Sequence, residues 1–357
     1  MRRAIVAGLM GMAALLLAAE AVLNLLPVSS ATARNYYIDP LILTYPANHR
    51  WRVATGWDLR NAQTLQSNNL GFASEIDFVP NAKAVALVGD SFVESSMLPA
   101  SQRPDAQLAA ALANARPVYA FGEPGTALLD YAERIRYASQ HLGVRDFVLM
   151  MEAGDVRQSL CGSGNIHGPC LDRQTLQPTR ETVPGPSALK RVLSHSALAQ
   201  YLAGQLKLDG KRLVQQLFAG EPPAPGAPAA RQADATAQPP ESLDAQARRN
   251  RMVATVADTF FTRIQPYATG RLVFVVDGRR SLQALNDPSA AADPLMRERQ
   301  QFIEIARSRG AAVIDTETLF RQHWQRSTLS LNVGPYDAHF NALGIGLTMR
   351  AAAQALQ

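Results

Sequence analysis

Five short apolar runs mark the chain, at residues 84–88, 118–121, 147–151, 272–276 and 311–314, and each is followed by sequence of helical character. Runs this short and continuous suit strands buried on both faces. Their alternation with helices of roughly 10 to 15 residues builds a parallel sheet from crossover units. The helices expected between them cover 102–114, 127–142, 247–264, 294–308 and 343–355. The pattern predicts an α/β fold, a three-layer flavodoxin-like sandwich around a parallel sheet of about five strands. Between the third and fourth strands the alternation breaks. There, residues 159–249 hold a two-cysteine loop, a helix expected over 187–218, and a proline- and alanine-rich tail over 220–240. The tail reads as a solvated linker, because such composition buries too little apolar surface to offset its ordering entropy. A partner-binding polyproline segment is its other reading.

Ahead of this pattern, Arg2 and Arg3 precede an apolar stretch over residues 4–26 broken only by Glu20 and Asn24. It reads as an export signal. The stretch is long enough to span a bilayer core of roughly 30 Å, while Ala31-Thr32-Ala33 offers the small-x-small pattern of a signal peptidase site. Either outcome places the remainder outside the cytoplasm, because the two arginines hold the short tail inside. A stretch longer than the usual signal core favours membrane association through residues 4–26 over release. Residues 34–83 form a lead-in segment with Tyr36, Tyr37, Trp51 and Trp57 and an Asn68-Asn69-Leu70-Gly71-Phe72 turn. Packing is the commoner use of such aromatics, and a sugar-binding surface is the alternative.

Composition changes the picture in three places. Hydrophobic residues at 47% with 18% charged exclude a wholly disordered chain. The net charge of +5, from 35 basic and 30 acidic residues, is spread without the Lys/Arg cluster that nucleic acid would require. The only two cysteines, Cys161 and Cys170, enclose a glycine-rich loop. In an exported chain that spacing reads as a disulfide. Zinc would need more ligands than His167 supplies, and two unpaired thiols are the remaining possibility.

The first strand ends in Gly89-Asp90-Ser91-Phe92. Open parallel sheets hold ligands outside the carboxyl ends of their strands, so Ser91 stands where a substrate would sit. A hydroxyl is a poor nucleophile until a base takes its proton. Of six histidines, only His339 follows an acidic residue closely, in Tyr336-Asp337-Ala338-His339-Phe340-Asn341 before the last helix. A carboxylate on Nδ1 would leave Nε2 free to accept the serine proton. The alternative is an ordinary strand-to-helix turn with Asp90 as its cap.

On these residues the sequence resembles the SGNH, or GDSL-type, esterase and acyltransferase superfamily over roughly 65–357. The nucleophile block matches as Gly89-Asp90-Ser91-Phe92, and the acid-base block as Asp337-Ala338-His339-Phe340-Asn341 with Gly344 following. The single residue between acid and base is similar to the branch associated with cell-envelope and polysaccharide acyl groups. Phe121-Gly122-Glu123-Pro124-Gly125 looks like the block whose glycine amide donates to the oxyanion, which implies Gly125, with Gly122 second. The third block departs from the family: Gly154 precedes Asp155 where the family places an asparagine whose side chain donates to the oxyanion. Either the Ser91 and Gly125 amides suffice, with help from a group such as Asn165, or the protein binds without efficient turnover. A positive φ would be a backbone reason for glycine at 154.

The chain is thus expected to comprise a signal anchor or signal peptide (1–33), the lead-in (34–83), a catalytic domain in two parts (84–158 and 250–357) and the insertion (159–249). The resemblance implies an exported serine esterase or O-acyltransferase with Ser91 as nucleophile, His339 as base and Asp337 as orienting acid. Its oxyanion hole would lie at Ser91, Gly125 and the Gly154 position, with no metal or organic cofactor. Its partners would be an acylated carbohydrate or other ester, with O-acetyl groups of an envelope or extracellular polysaccharide foremost, and polysaccharide-assembly proteins. The rival is a membrane-tethered carbohydrate-binding or assembly protein that has lost turnover.

Overall fold

The computed structural model describes residues 2–164, 168–206, 242–335 and 337–357. The five apolar runs form β1 (Val85–Gly89), β2 (Val118–Gly122), β3 (Asp146–Met151), β4 (Leu272–Val276) and β5 (Ala312–Asp315). All pair parallel in the order β5-β4-β3-β1-β2. The chain leaves β1 for β2 on one side and then crosses to β3 on the other. That reversal opens a crevice at the carboxyl end of β1.

The strands alternate between two buried layers, which explains why their sequences are apolar throughout. Ala86, Val88, Phe147, Leu149, Phe274 and Val276 pack with helices Leu128–Leu142, Leu243–Ile264 and Pro294–Ser308. Val85, Leu87, Val148, Met150, Val273 and Val275 pack with Pro104–Ala111, Thr316–Trp324 and Ala342–Ala355. The expected three-layer α/β sandwich is therefore present.

Several boundaries differ from the sequence expectation for local reasons. The helix expected over 102–114 is Pro104–Ala111: proline occupies its first turn, and Ala113 and Asn114 take positive φ of 54° and 55°. The helix expected from 247 begins at Leu243, where the Ser242 hydroxyl accepts from Ala245 N–H at 3.2 Å. The single helix expected from 187 is broken into Ala188–Leu193 and Ala197–Gln200, because Ser196 caps the second piece through Ala199 N–H at 3.1 Å. The rest of that helix from 207 onward, and the 220–240 linker, lie outside the described residues. Helix Thr316–Trp324 was not read from the pattern because it starts directly on β5, with Asp315 serving as both last strand residue and cap.

The chain forms two compact units. The sheet unit holds 34–49, 66–183 and 236–357; the other holds 1–33, 50–65 and 184–235. In the sheet unit the lead-in folds as an antiparallel hairpin, Asn35–Asp39 with Ile42–Thr44. The Asn68 turn closes on its own side chain, whose Oδ1 accepts from Leu70 N–H and Phe72 N–H at 3.0 and 3.1 Å. The Cys161–Cys170 disulfide is formed. Cys170 is buried against Ala127, which fixes the cysteine loop at the start of helix Leu128–Leu142. In the other unit, helix Arg2–Leu25 has no buried residue and is long and apolar enough to cross a membrane. Of the lead-in aromatics, Trp51 is buried and Trp57 is 62% exposed.

Candidate active site

Ser91 sits two residues past the β1 carboxyl end, at the first position of the short helix Ser91–Glu94. Asp90 caps that helix, its Oδ1 accepting from Phe92 N–H at 2.9 Å. The turn can run this close to the sheet only because two neighbours lack side chains. A Cβ on Gly89 would lie 2.6 Å from Met150 O, and one on Gly122 would lie 2.6 Å from Glu94 N. Gly122 therefore serves close packing.

The loop from 331 to 341 brings the acid-base block back to Ser91 across 248 residues. His339 Nε2 lies 2.8 Å from Ser91 Oγ, and His339 Nδ1 lies 2.6 Å from Asp337 Oδ1. The same Oδ1 accepts the His339 backbone N–H at 2.8 Å. One carboxylate oxygen thus closes a tight turn and holds the ring, which is what the single-residue spacing permits. With the carboxylate as acceptor, Nδ1 carries the ring proton and Nε2 faces the hydroxyl. Asp90 Oδ2 is the weaker partner of Ser91 Oγ, at 3.4 Å. Asn341 anchors the loop's exit by accepting from Gly344 N–H at 3.0 Å and donating to Ser330 O at 2.7 Å.

Three supporting side chains carry no local motif, so sequence reasoning missed them. Arg280, just beyond β4, pairs with Asp277, donates to Asn332 Oδ1 at 3.0 Å and to Ala338 O, and lies over the Phe92 and Phe340 rings. It thereby braces the carbonyl between Asp337 and His339. Arg134, 1% exposed, donates to Gly89 O at 2.6 Å, Phe121 O at 3.2 Å and Thr126 Oγ1 at 2.9 Å. Arg34 donates to Glu123 Oε1 at 2.9 Å and Pro124 O at 2.7 Å, which holds the loop carrying Gly125.

Gly125 follows in that loop with φ of 74°, and among the described residues neither its amide nor that of Ser91 has a hydrogen-bond acceptor. Gly154 precedes helix Asp155–Gln158 in ordinary helical geometry, φ −83° and ψ −15°, so positive φ does not account for the glycine. A Cβ there would instead stand 2.9 Å from Gln158 Nε2. The Gln158 amide fills that space and donates to Glu152 Oε2 at 3.4 Å. Asn165 lies outside the described residues, as does His167.

The site is rich in buried acid. Burial outweighs the Phe92 N–H bond and raises Asp90 to about 6. Burial also raises Asp130 to about 7 and Glu123 to about 8, against the opposing charges of Arg134 and Arg34 respectively. Asp155, which accepts from Tyr131 OH at 2.9 Å, is pushed well above the usual range by burial and by Asp90. For His339, burial alone would favour the neutral ring, but the Asp337 hydrogen bond and charge outweigh it, so its pKa is raised.

All of these folded-state values lie above their unfolded ones. Their stabilisation is therefore complete below about pH 4 and lost progressively as pH rises through about 6 to 8. The melting temperature of the detergent-solubilised chain should be higher at about pH 5 than at about pH 8.5. A rise across that window would contradict these assignments.

Fold and side chains together define an α/β sandwich with a Ser-His-Asp relay at the switch point of its sheet. No family model matches the chain, and no curated protein matches it either. It is similar to a solved member of the lipolytic G-D-S-L family from Veillonella parvula, at 11% identity and a TM-score of 0.38, over 76% of this chain and 96% of that one. It is also similar to an α/β-hydrolase enzyme from the metagenome of Lake Arreo, at 13% identity and a TM-score of 0.41, over 78% and 99% of the two chains. An acetylxylan esterase from Geobacillus stearothermophilus matches at 11% identity and a TM-score of 0.39, over 78% and 96%.

Proposed function

We propose that this chain is an exported SGNH-type serine esterase or O-acyltransferase that works through an acyl-serine intermediate. The observation that carries the reading is the unbroken relay from Asp337 Oδ1 through His339 to Ser91 Oγ. Ser91 Oγ attacks the ester carbonyl carbon while His339 Nε2 takes its proton. The Ser91 and Gly125 amides receive the oxyanion. Collapse breaks the bond to the leaving alkoxide, which takes the proton from Nε2 and leaves the acyl group on Ser91. A second hydroxyl compound, water or a sugar, repeats the sequence in reverse and restores the free serine.

Residues 2–25 anchor the chain, and the disulfide suits an extracytoplasmic site. The substrate class that fits export and the family resemblance is an O-acetylated envelope or extracellular polysaccharide.

Hydrolysis of 4-nitrophenyl acetate by the purified full-length chain tests the reading. Turnover well above the solvent rate is expected, and none would contradict it. In the same assay Gly154→Asn should fold, because the backbone there is helical and only the mobile tip of Gln158 must move. The added donor should raise kcat more than it changes KM, since it acts on the developing oxyanion. A folded variant with unchanged kcat would mean that the site has its full set of donors.

A further inference from the structure

The single acidic residue of helix Arg2–Leu25 is not left bare. Glu20 accepts from Ser196 Oγ at 2.8 Å, Ala197 N–H at 2.8 Å and Leu198 N–H at 2.9 Å. These are groups at the start of helix Ala197–Gln200. Asn24 adds a fourth bond at 2.8 Å. Segment 188–205 is thereby tied to one level of the apolar helix. Glu20 lies 18 residues beyond Arg2, about 27 Å along the axis at 1.5 Å per residue. With Arg2 and Arg3 at one bilayer surface, that is the opposite surface, given a hydrocarbon core of roughly 30 Å.

Helix Ala188–Leu193 ends three residues before Ser196 and buries none of its side chains. Leu189 and Val192 are 68% and 70% exposed, and Leu193 is 44% exposed. Their spacing puts all three on one helix face. Lys190 stands at the edge of that face and Arg191 on the opposite, polar side. An exposed apolar stripe with a basic polar face, held at the level where a spanning helix leaves the bilayer, matches an interfacial helix. Trp57, whose carbonyl accepts from Tyr201 OH at 2.7 Å in the same unit, is also exposed.

We propose that helix Ala188–Leu193 lies on the outer surface of the bilayer that Arg2–Leu25 spans, burying Leu189, Val192 and Leu193 among anionic phospholipids. The inference rests on the anchor reading. Lipid is the occupant because the stripe is continuous, through Glu20, with a helix that is apolar over most of its length and has no buried residue.

The test uses full-length chain in phosphatidylethanolamine/phosphatidylglycerol vesicles, spin-labelled at Val192→Cys, with Leu15→Cys and Thr175→Cys as references. Both native cysteines are in the disulfide, so each variant takes one label. The label at 192 should show several-fold lower accessibility to a water-soluble nickel chelate than the label at 175, together with oxygen accessibility and a shallower depth than at 15. Nickel accessibility at 192 equal to that at 175, with 15 still deep, would overturn the interfacial helix and leave the anchor intact. Accessibility at 15 as well would overturn the anchor. Shielding of 192 accompanied by dipolar broadening would assign the stripe to a second copy of the chain, and would equally overturn the proposal.

Discussion

Asp337→Ala should lower kcat for ester hydrolysis by about 10⁴-fold with little change in KM. The Asp337 Oδ1 atom holds both the ring, at 2.6 Å, and the His339 backbone N–H, at 2.8 Å. Removing it frees the ring to rotate and to carry its proton on either nitrogen. It also removes the charge that supports the imidazolium in the transition state. Asp337→Asn should cost less than Asp337→Ala, because an amide oxygen kept in place by the backbone N–H still accepts from Nδ1. The asparagine variant loses only the charge. Since that charge raises the His339 pKa, the acid limb of its kcat/KM profile should move to lower pH. Equal rates in both variants and wild type would remove Asp337 from the relay.

Arg134→Leu should destabilise the sheet unit by roughly 3 to 5 kcal/mol, the usual cost of removing one member of a buried charged network. In a unit of this size that is a fall in melting temperature on the order of 10 °C. The guanidinium ties the carboxyl ends of β1 and β2 to Thr126, and its charge opposes the burial that raises Asp130, and, alongside His339 and Arg34 respectively, the burial that raises Asp90 and Glu123. Leucine leaves Gly89 O and Phe121 O without this donor and the carboxyls more fully protonated. Its loss should therefore be smaller at about pH 5, where those groups hold more of their protons. A loss that does not depend on pH would mean that Arg134 acts through packing alone.

The sheet was legible because each strand is buried on both sides and announces itself as a short apolar run. The nucleophile and acid-base blocks were legible because the chemistry demands a serine at a strand end and a histidine beside a carboxylate. Arg280, Arg134 and Arg34 were not legible. Each works through backbone carbonyls and carboxylates brought near by the fold, and an arginine in sequence looks the same whether it braces a loop or faces water. The Gly154 gap shows the limit in the other direction. Its sequence position was read, but only the structure places the Gln158 amide against it, four residues on along the next helix turn. The division of segment 187–206 was missed because the Ser196 cap gains its force from Glu20, more than 170 residues away.

The most direct test of the account is stoichiometric labelling of the full-length protein with a fluorophosphonate, read by intact mass. The probe requires what the geometry supplies, a serine hydroxyl deprotonated by a neighbouring imidazole and a donor pocket for the phosphonyl oxygen. One adduct per wild-type chain, mapped to Ser91 and absent from Ser91→Ala, is the predicted result. No adduct on a folded wild-type chain, or the same adduct on Ser91→Ala, would contradict it; the former would favour a binding protein built on this fold.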